Sequence, residues 1–166
     1  MNNMVRLLRH LLTPPWRVRL AFPPRTLRAI ETAIRECEKT HAGEIRFAVE
    51  SDLHVFALLR GQSARERALD VFSQLRVWDT EHNNGVLIYL LLADRDVEIV
   101  ADRSVHARVG AGGWEKICRE MEASFRAGNF EEGVIGGIRA VGVHLARHYP
   151  AQGEGQNELS DKPVVL

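Results

Sequence analysis

Only two cysteines occur in the 166 residues, Cys37 and Cys118. Each falls at an apolar position of a helical pattern, with no second cysteine nearby. That excludes a thiolate zinc set and a local redox pair, and it gives no reason to expect an oxidising compartment. Net charge is also missing, with 22 Lys and Arg against 22 Asp and Glu, so no global field draws the chain to nucleic acid and no such partner is expected. The longest apolar run, Val86 to Ala93, falls far short of the roughly 20 residues that a membrane helix requires. Near the N-terminus the apolar pairs are broken by Arg6, Arg9, His10, Pro14 and Pro15, so no signal-peptide core can be drawn and a cytoplasmic location is the expectation. Ser51, Ser63 and Ser104 lack a nucleophile elbow, and Gly110-Ala111-Gly112-Gly113 lacks the Gly-Lys-Ser/Thr ending of a phosphate loop.

What remains is the composition of an ordinary globular domain, 45% apolar, at a length that suits one core rather than two. Three parts are expected: a basic arm over residues 1–24, a domain over 25–149 and a disordered tail over 150–166, where the sequence turns to Gly, Gln, Glu, Asn and Ser without periodicity. The arm carries Arg6, Arg9, Arg17 and Arg19 among leucines and Trp16. It is read as laying those leucines across the domain, because Pro14 and Pro15 leave too short a helix for firm attachment to a bilayer. Its alternatives are a basic amphipathic contact with anionic lipid and, with the last helix, a surface for a protein partner.

Within the domain, Leu27, Ile30, Ile34 and Cys37 have helical spacing after Pro23-Pro24, a helix start. Glu44 to Glu50 alternates strictly, as a strand with one covered face does. Glu44 itself is expected to be solvent-exposed. Residues 51–62 read as a longer loop that packs down as a flap or short turn, and Ser63 with Glu66 has the spacing of a capping box ahead of a helix buried through Ala68, Val71, Phe72 and Leu75. Val86 to Leu92 is apolar at nearly every position, which requires cover on both faces. Ala93-Asp94-Arg95-Asp96 then turns the chain into the alternating Val97-Glu98-Ile99-Val100, an antiparallel hairpin. A glycine-containing loop leads to a helix ended by Gly128, and Asn129 opens a last helix holding Gly133, Gly136, Gly137 and Gly142. Each helical glycine costs about 1 kcal/mol against alanine, a cost that makes sense where another element approaches closely.

These elements predict an α/β fold: a small mixed sheet, built from a βαβ unit plus an antiparallel hairpin, with helices on both faces. A right-handed crossover makes the first two strands parallel and the hairpin reverses the third. The start of the first strand, the start of the second and the end of the third then share one edge. Glu44, the segment Trp78 to Asn84, and Asp102 with Arg103 are expected to meet there, while Glu50, Asp52, Asp94 and Asp96 gather at the other. Carboxylates brought together repel unless they are protonated, paired or bridged, and a hard divalent cation with oxygen ligands, calcium or magnesium, could bridge them. Asp79, Asn84 and Asp102 are the candidate metal ligands; the alternative for Asp79 and Asn84 is a helix-end or turn role bonding local backbone, and for Asp102 with Arg103 a salt-bridged strand end. Arg103 is the candidate phosphate anchor. Of the histidines near this edge, His41, His82 and His106, the last is carried forward with Arg103 as a candidate catalytic residue.

Gly43-Glu44-Ile45, Asp79 to Asn84 running into Gly85-Val86-Leu87-Ile88, the hairpin, and Phe125-Arg126-Ala127-Gly128-Asn129-Phe130-Glu131-Glu132-Gly133 at the entry to the last helix together resemble the TPM domain family over roughly residues 27–148. The resemblance implies a compact α/β sandwich, a divalent cation site and an acid-phosphatase activity proposed for some members. The expected function is therefore a cation-binding regulatory or interaction module, with metal-assisted phosphomonoester hydrolysis as the alternative. Where members often carry a glycine-rich turn after the third strand, this chain has Ala101-Asp102-Arg103. The basic arm has no counterpart in the generic domain.

Overall fold

A computed structural model describes residues 3–151 and 157–166. The elements in chain order are α1 (Asn3–Leu11), α2 (Trp16–Ala21), α3 (Pro24–Glu38), β1 (Glu44–Glu50), α4 (Val55–Leu59), α5 (Ala64–Gln74), β2 (Gly85–Leu91), β3 (Asp96–Ala101), α6 (Arg103–Val109), α7 (Ala111–Arg126), α8 (Phe130–His148) and β4 (Val164–Val165). The four strands form one sheet in the order β3-β2-β1-β4. β1 and β2 run parallel from Glu44 opposite Gly85 to Glu50 opposite Leu91, and β3 returns antiparallel from Asp96 opposite Leu91 to Ala101 opposite Val86. The βαβ unit and the hairpin thus stand in the arrangement that the hydrophobic pattern predicts.

The period-2 alternation divides β1 between two cores. Ile45, Phe47 and Val49 join Val86, Ile88 and Leu90 under α3, α7 and α8. On the other face Ala48, Leu87, Tyr89 and Leu91 pack against α4 and α5 through Leu58, Ala64, Ala68 and Val71. β2 is buried at all seven positions, which is why its sequence is continuously apolar. The capping box at α5 is formed as its spacing predicts: Glu66 N–H donates to the Ser63 hydroxyl, and Ser63 N–H donates to the Glu66 carboxylate.

The glycines of α8 have the reason that their cost suggests. A Cβ at Gly133 would lie 2.7 Å from the Phe125 ring, one at Gly137 would overlap the Met121 sulfur, and one at Gly142 would overlap Cys37 Sγ. α7 and α3 therefore press on α8 where a side chain is missing. Phe22, Phe125 and Phe130 close the entry to α8, the Phe130 ring centroid lying 5.6 Å from that of Phe22 and 5.3 Å from that of Phe125.

The segment 51–62 takes the short-turn form, as the one-turn helix α4. Three expectations change. Gly112 and Gly113 lie in the first turn of α7 rather than in a loop, and only Gly110, at φ 78°, breaks it from α6. Of the tail expected to be disordered, residues 152–156 lie outside the described residues, but 157–166 dock along the sheet: Val164 and Val165 pair parallel with Ala48 and Val49, and Leu166 N–H donates to Val49 carbonyl. The arm folds as two helices, but its leucines do not lie across the domain. Leu7 packs inward while Leu8, Leu11, Leu12 and Trp16 are more than half exposed.

Candidate functional site

β1 begins, β2 begins and β3 ends at one edge, and backbone hydrogen bonds tie the three together. Glu44 N–H donates to Asn84 carbonyl at 3.3 Å, and Asp102 N–H donates to Gly85 carbonyl at 2.9 Å. The turn into β2 holds Asn83 at φ 49°, a left-handed conformation that asparagine tolerates better than most residues. Gly85 is required for space, because a Cβ there would overlap the Val77 carbonyl oxygen. The Asn-Asn-Gly run is therefore a tight junction between the end of α5 and the central strand.

Asn84 is fully buried. Its backbone N–H donates to Thr80 Oγ1 at 3.1 Å, and its Nδ2 donates to Ala42 carbonyl at 2.6 Å, which clamps the turn to the start of β1. Its Oδ1 is buried and has no partner among the described residues, an arrangement that costs roughly 1–3 kcal/mol unless something satisfies it. On the other side of Gly85 the Asp102 carboxylate accepts the Gly85 N–H at 2.9 Å. Burial pushes the Asp102 carboxyl above its ordinary range against the pull of that hydrogen bond.

Asn84 and Asp102 thus flank one residue, as the strand directions predict. Asp79 is exposed on the turn after α5, and among the described residues no hydrogen bond or ion pair joins its side chain to either of them. Arg103 and His106 are both exposed, three residues apart on α6, which puts them on one face of the helix leaving the edge. Ser104 Oγ donates to Asn83 carbonyl at 2.7 Å and accepts the Tyr149 hydroxyl at 2.8 Å, so α6 and the end of α8 are fastened to the same turn. Among the described residues no group of three or more His, Cys, Asp or Glu side chains is arranged to hold a metal ion. Any cation at this edge would draw on Asn84, Asp102 and main-chain oxygens.

Glu44 is buried, at 6% exposure, not solvated. Its carboxylate accepts the N–H groups of Glu158 and Leu159 at 3.3 and 3.1 Å, and Glu158 in turn accepts Glu81 N–H at 2.9 Å. Arg46 donates to Ser160 carbonyl, and Asp161 is buried beside Arg35. Burial raises Glu44, and it raises Glu38, which accepts Ile45 N–H, to about 8. Sequence reasoning missed this carboxylate group. Its signal was the polar face of β1, where Glu44, Arg46 and Glu50 alternate on a strand that needs cover. His41 is also buried, and its charged form is disfavoured by that burial.

At the opposite edge Glu50 and Asp94 are paired internally, while burial and the neighbouring Glu98 and Glu122 raise the Asp96 carboxyl to about 6. Arg67 makes a two-pronged contact with Glu50 at 2.8 and 3.0 Å, and Tyr89 donates to the same carboxylate at 2.6 Å. Arg6 Nε lies 2.9 Å from Asp94, and His10 Nε2 lies 3.2 Å from it. Burial alone would raise the Asp94 carboxyl, but His10 and Arg6 outweigh it and hold it below the usual range.

The TPM domain family matches residues 21–143. The chain is similar to the BA42 protein of the psychrophilic bacterium Bizionia argentinensis, at 32% identity over 86% of this chain and 93% of that one, with a TM-score of 0.72. It shares its fold with the N-terminal domain of a P. gingivalis protein, at 19% identity over 86% and 95% of the two chains and a TM-score of 0.60. No curated protein matches it. No helix among the described residues is long and apolar enough to cross a membrane.

Proposed function

The chain belongs to the TPM domain family, and on that premise we propose that its Asn84–Asp102 edge binds a divalent cation and that the domain works as a cation-dependent binding module. The observation that carries this reading is the Asn84 Oδ1 atom, fully buried and unpartnered among the described residues, one residue from a carboxylate. A hard cation with oxygen ligands satisfies such an atom and offsets the charge of Asp102. Because Asn84 clamps β1 and Asp102 clamps β2, an ion held between them stiffens the junction of three strands and the start of α6. Asp79 is a further carboxylate within the same turn segment, available from solvent.

The test is thermal melting of the whole chain with calcium, with magnesium and with chelator. An ion present at a hundred times its dissociation constant stabilises by about 2.7 kcal/mol. For a chain of this size that raises Tm by roughly 5–10 °C. Asp102→Asn retains an oxygen to accept Gly85 N–H but loses the charge, so it is expected to fold and to lose the shift. A wild type whose melting is indifferent to every divalent ion refutes the reading.

A second reading is hydrolysis of phosphomonoesters. It is favoured by Arg103 and His106, exposed on one face of α6 directly after Asp102. There Asn84 and Asp102 would hold a cation that would supply Lewis-acid polarisation, while Arg103 would hold the phosphate charge and His106 would move a proton. Phosphate release from a panel of phosphomonoesters that disappears in Arg103→Ala and His106→Ala supports it. Release indistinguishable between wild type and these variants removes it.

A further inference from the structure

The helices of the arm pack Leu7 and Val18 inward but leave a second set of apolar residues facing outward. On α1, Arg6 and His10 point inward, to Asp94, Gln62 carbonyl and Leu53 N–H, while Leu8, Leu11 and Leu12 are 57%, 62% and 61% exposed. Met4, Leu8, Leu11 and Leu12 share one face by helical spacing. On α2, Trp16 and Leu20, four residues apart, are 56% and 71% exposed. α4 lies beside α1 through the Gln62 and Leu53 contacts and adds exposed Phe56 and Leu59. An apolar surface of this extent on a folded chain marks a place where something else docks.

Charge identifies the occupant. Six arginines and no acidic residue precede Glu31, so the rest of a chain with 22 charges of each sign is net acidic. Arg17, Arg19, Arg25 and Arg28 are exposed. A groove of about 770 Å³ separates the arm from the β2–β3 turn, with Arg17 and Arg95 at its sides and Trp16 and Leu20 in its wall. A second copy docking on the same face by a two-fold axis would bring these arginines against their own counterparts. Apolar residues, an indole and a basic rim whose one lining acid, Asp94, is nearly buried and paired with Arg6 are what a helix lying in a lipid interface requires. The proline pair shortens the helices, but the buried Asp94 contacts hold them in place beforehand, so docking orders little new chain.

We propose that this face seats the domain on an anionic lipid bilayer, with the outward leucines and Trp16 in the acyl boundary and Arg17, Arg19 and Arg95 against headgroup phosphates. The experiment is flotation of the full chain with vesicles of phosphatidylcholine alone or mixed with phosphatidylglycerol, alongside sedimentation velocity without lipid. Expected is partition onto the anionic vesicles, weakened by salt and faint on the neutral ones. The Arg17→Ser/Arg19→Ser variant is expected to bind about 25-fold more weakly, about fivefold for each arginine. Leu8→Glu/Leu12→Glu is expected to lose binding with melting unchanged, since both residues are solvent-facing. Absence of wild-type partition at low salt overturns the proposal. So does equal partition of either variant, or a lipid-free dimer that Leu8→Glu/Leu12→Glu dissolves without any vesicle binding.

Discussion

Gly85→Ala tests the junction on which the candidate site depends. The added Cβ meets the Val77 carbonyl carbon and Cγ1 at 3.0 Å and the carbonyl oxygen more closely still. Neither side yields cheaply. Val77 is fully buried and its N–H is held by Phe72 carbonyl, while Gly85 is held by two hydrogen bonds to Asp102. Overpacking a rigid site costs about 1–3 kcal/mol, and the upper end applies where backbone must move. Weakening the two hydrogen bonds adds about 1 kcal/mol between them. The expected loss of roughly 4 kcal/mol lowers Tm by about 8–16 °C for a chain of this length. In urea the midpoint falls with the slope unchanged if the native state keeps its compactness. A variant that melts within about 2 °C of wild type refutes the close-approach argument, because overpacking of this size cannot hide at that scale.

Gly136→Ala is the counterpart. It sits in the interior of α8 with nothing near its missing Cβ, so it is expected to gain about 1 kcal/mol and raise Tm, and a loss would show that α8 needs flexibility there. Glu38→Gln keeps an acceptor for Ile45 N–H but cannot ionise. Wild type holds the proton up to about pH 8 when folded and releases it near 4.5 when unfolded, so its stability falls across that window. The variant's advantage is expected to be nil below 4.5, to grow through the window and to level off above it, and parallel stability-versus-pH curves would contradict the assignment. Asp94→Asn breaks a carboxylate 7% exposed and paired with Arg6 and His10, at a cost of about 3 kcal/mol at neutral pH. The wild-type pair's contribution is present above the ordinary Asp value of 3.8 and lost as pH falls through the lowered native one, so the two proteins converge in acid. Trypsin cleavage at the arm arginines should accelerate in the variant, and unchanged cleavage would show that this contact does not hold the arm.

Local patterns carried the strands. Continuous apolarity at Val86–Leu92 predicted a sheet covered on both faces and strand direction placed Asn84 beside Asp102, but the alternation at Glu44–Glu50 predicted one covered face where the docked tail buries the polar one too. The tail was illegible because its partners are far away in sequence. Nothing within residues 157–166 announces that Glu44 receives two of their N–H groups or that Arg46 meets Ser160 carbonyl. The arm misled for a different reason. Leucines at helical spacing are ordinarily core, and the contacts that reverse α1 come from Asp94 and Leu53, in loops with no periodic signal of their own.

β4 has a bearing on solubility. A parallel pair such as β1 and β2 leaves the far side of β1 with unpaired amides and carbonyls, a template on which another molecule's strand can grow. Two paired valines and the Leu166 N–H close part of that template. Releasing residues 157–166 would also strip buried Glu44 of the Glu158 and Leu159 N–H groups and Arg46 of the Ser160 carbonyl, so those contacts anchor the guard as much as the ladder does. While residues 157–166 stay docked, that part of the β1 edge offers no template to a strand of another molecule.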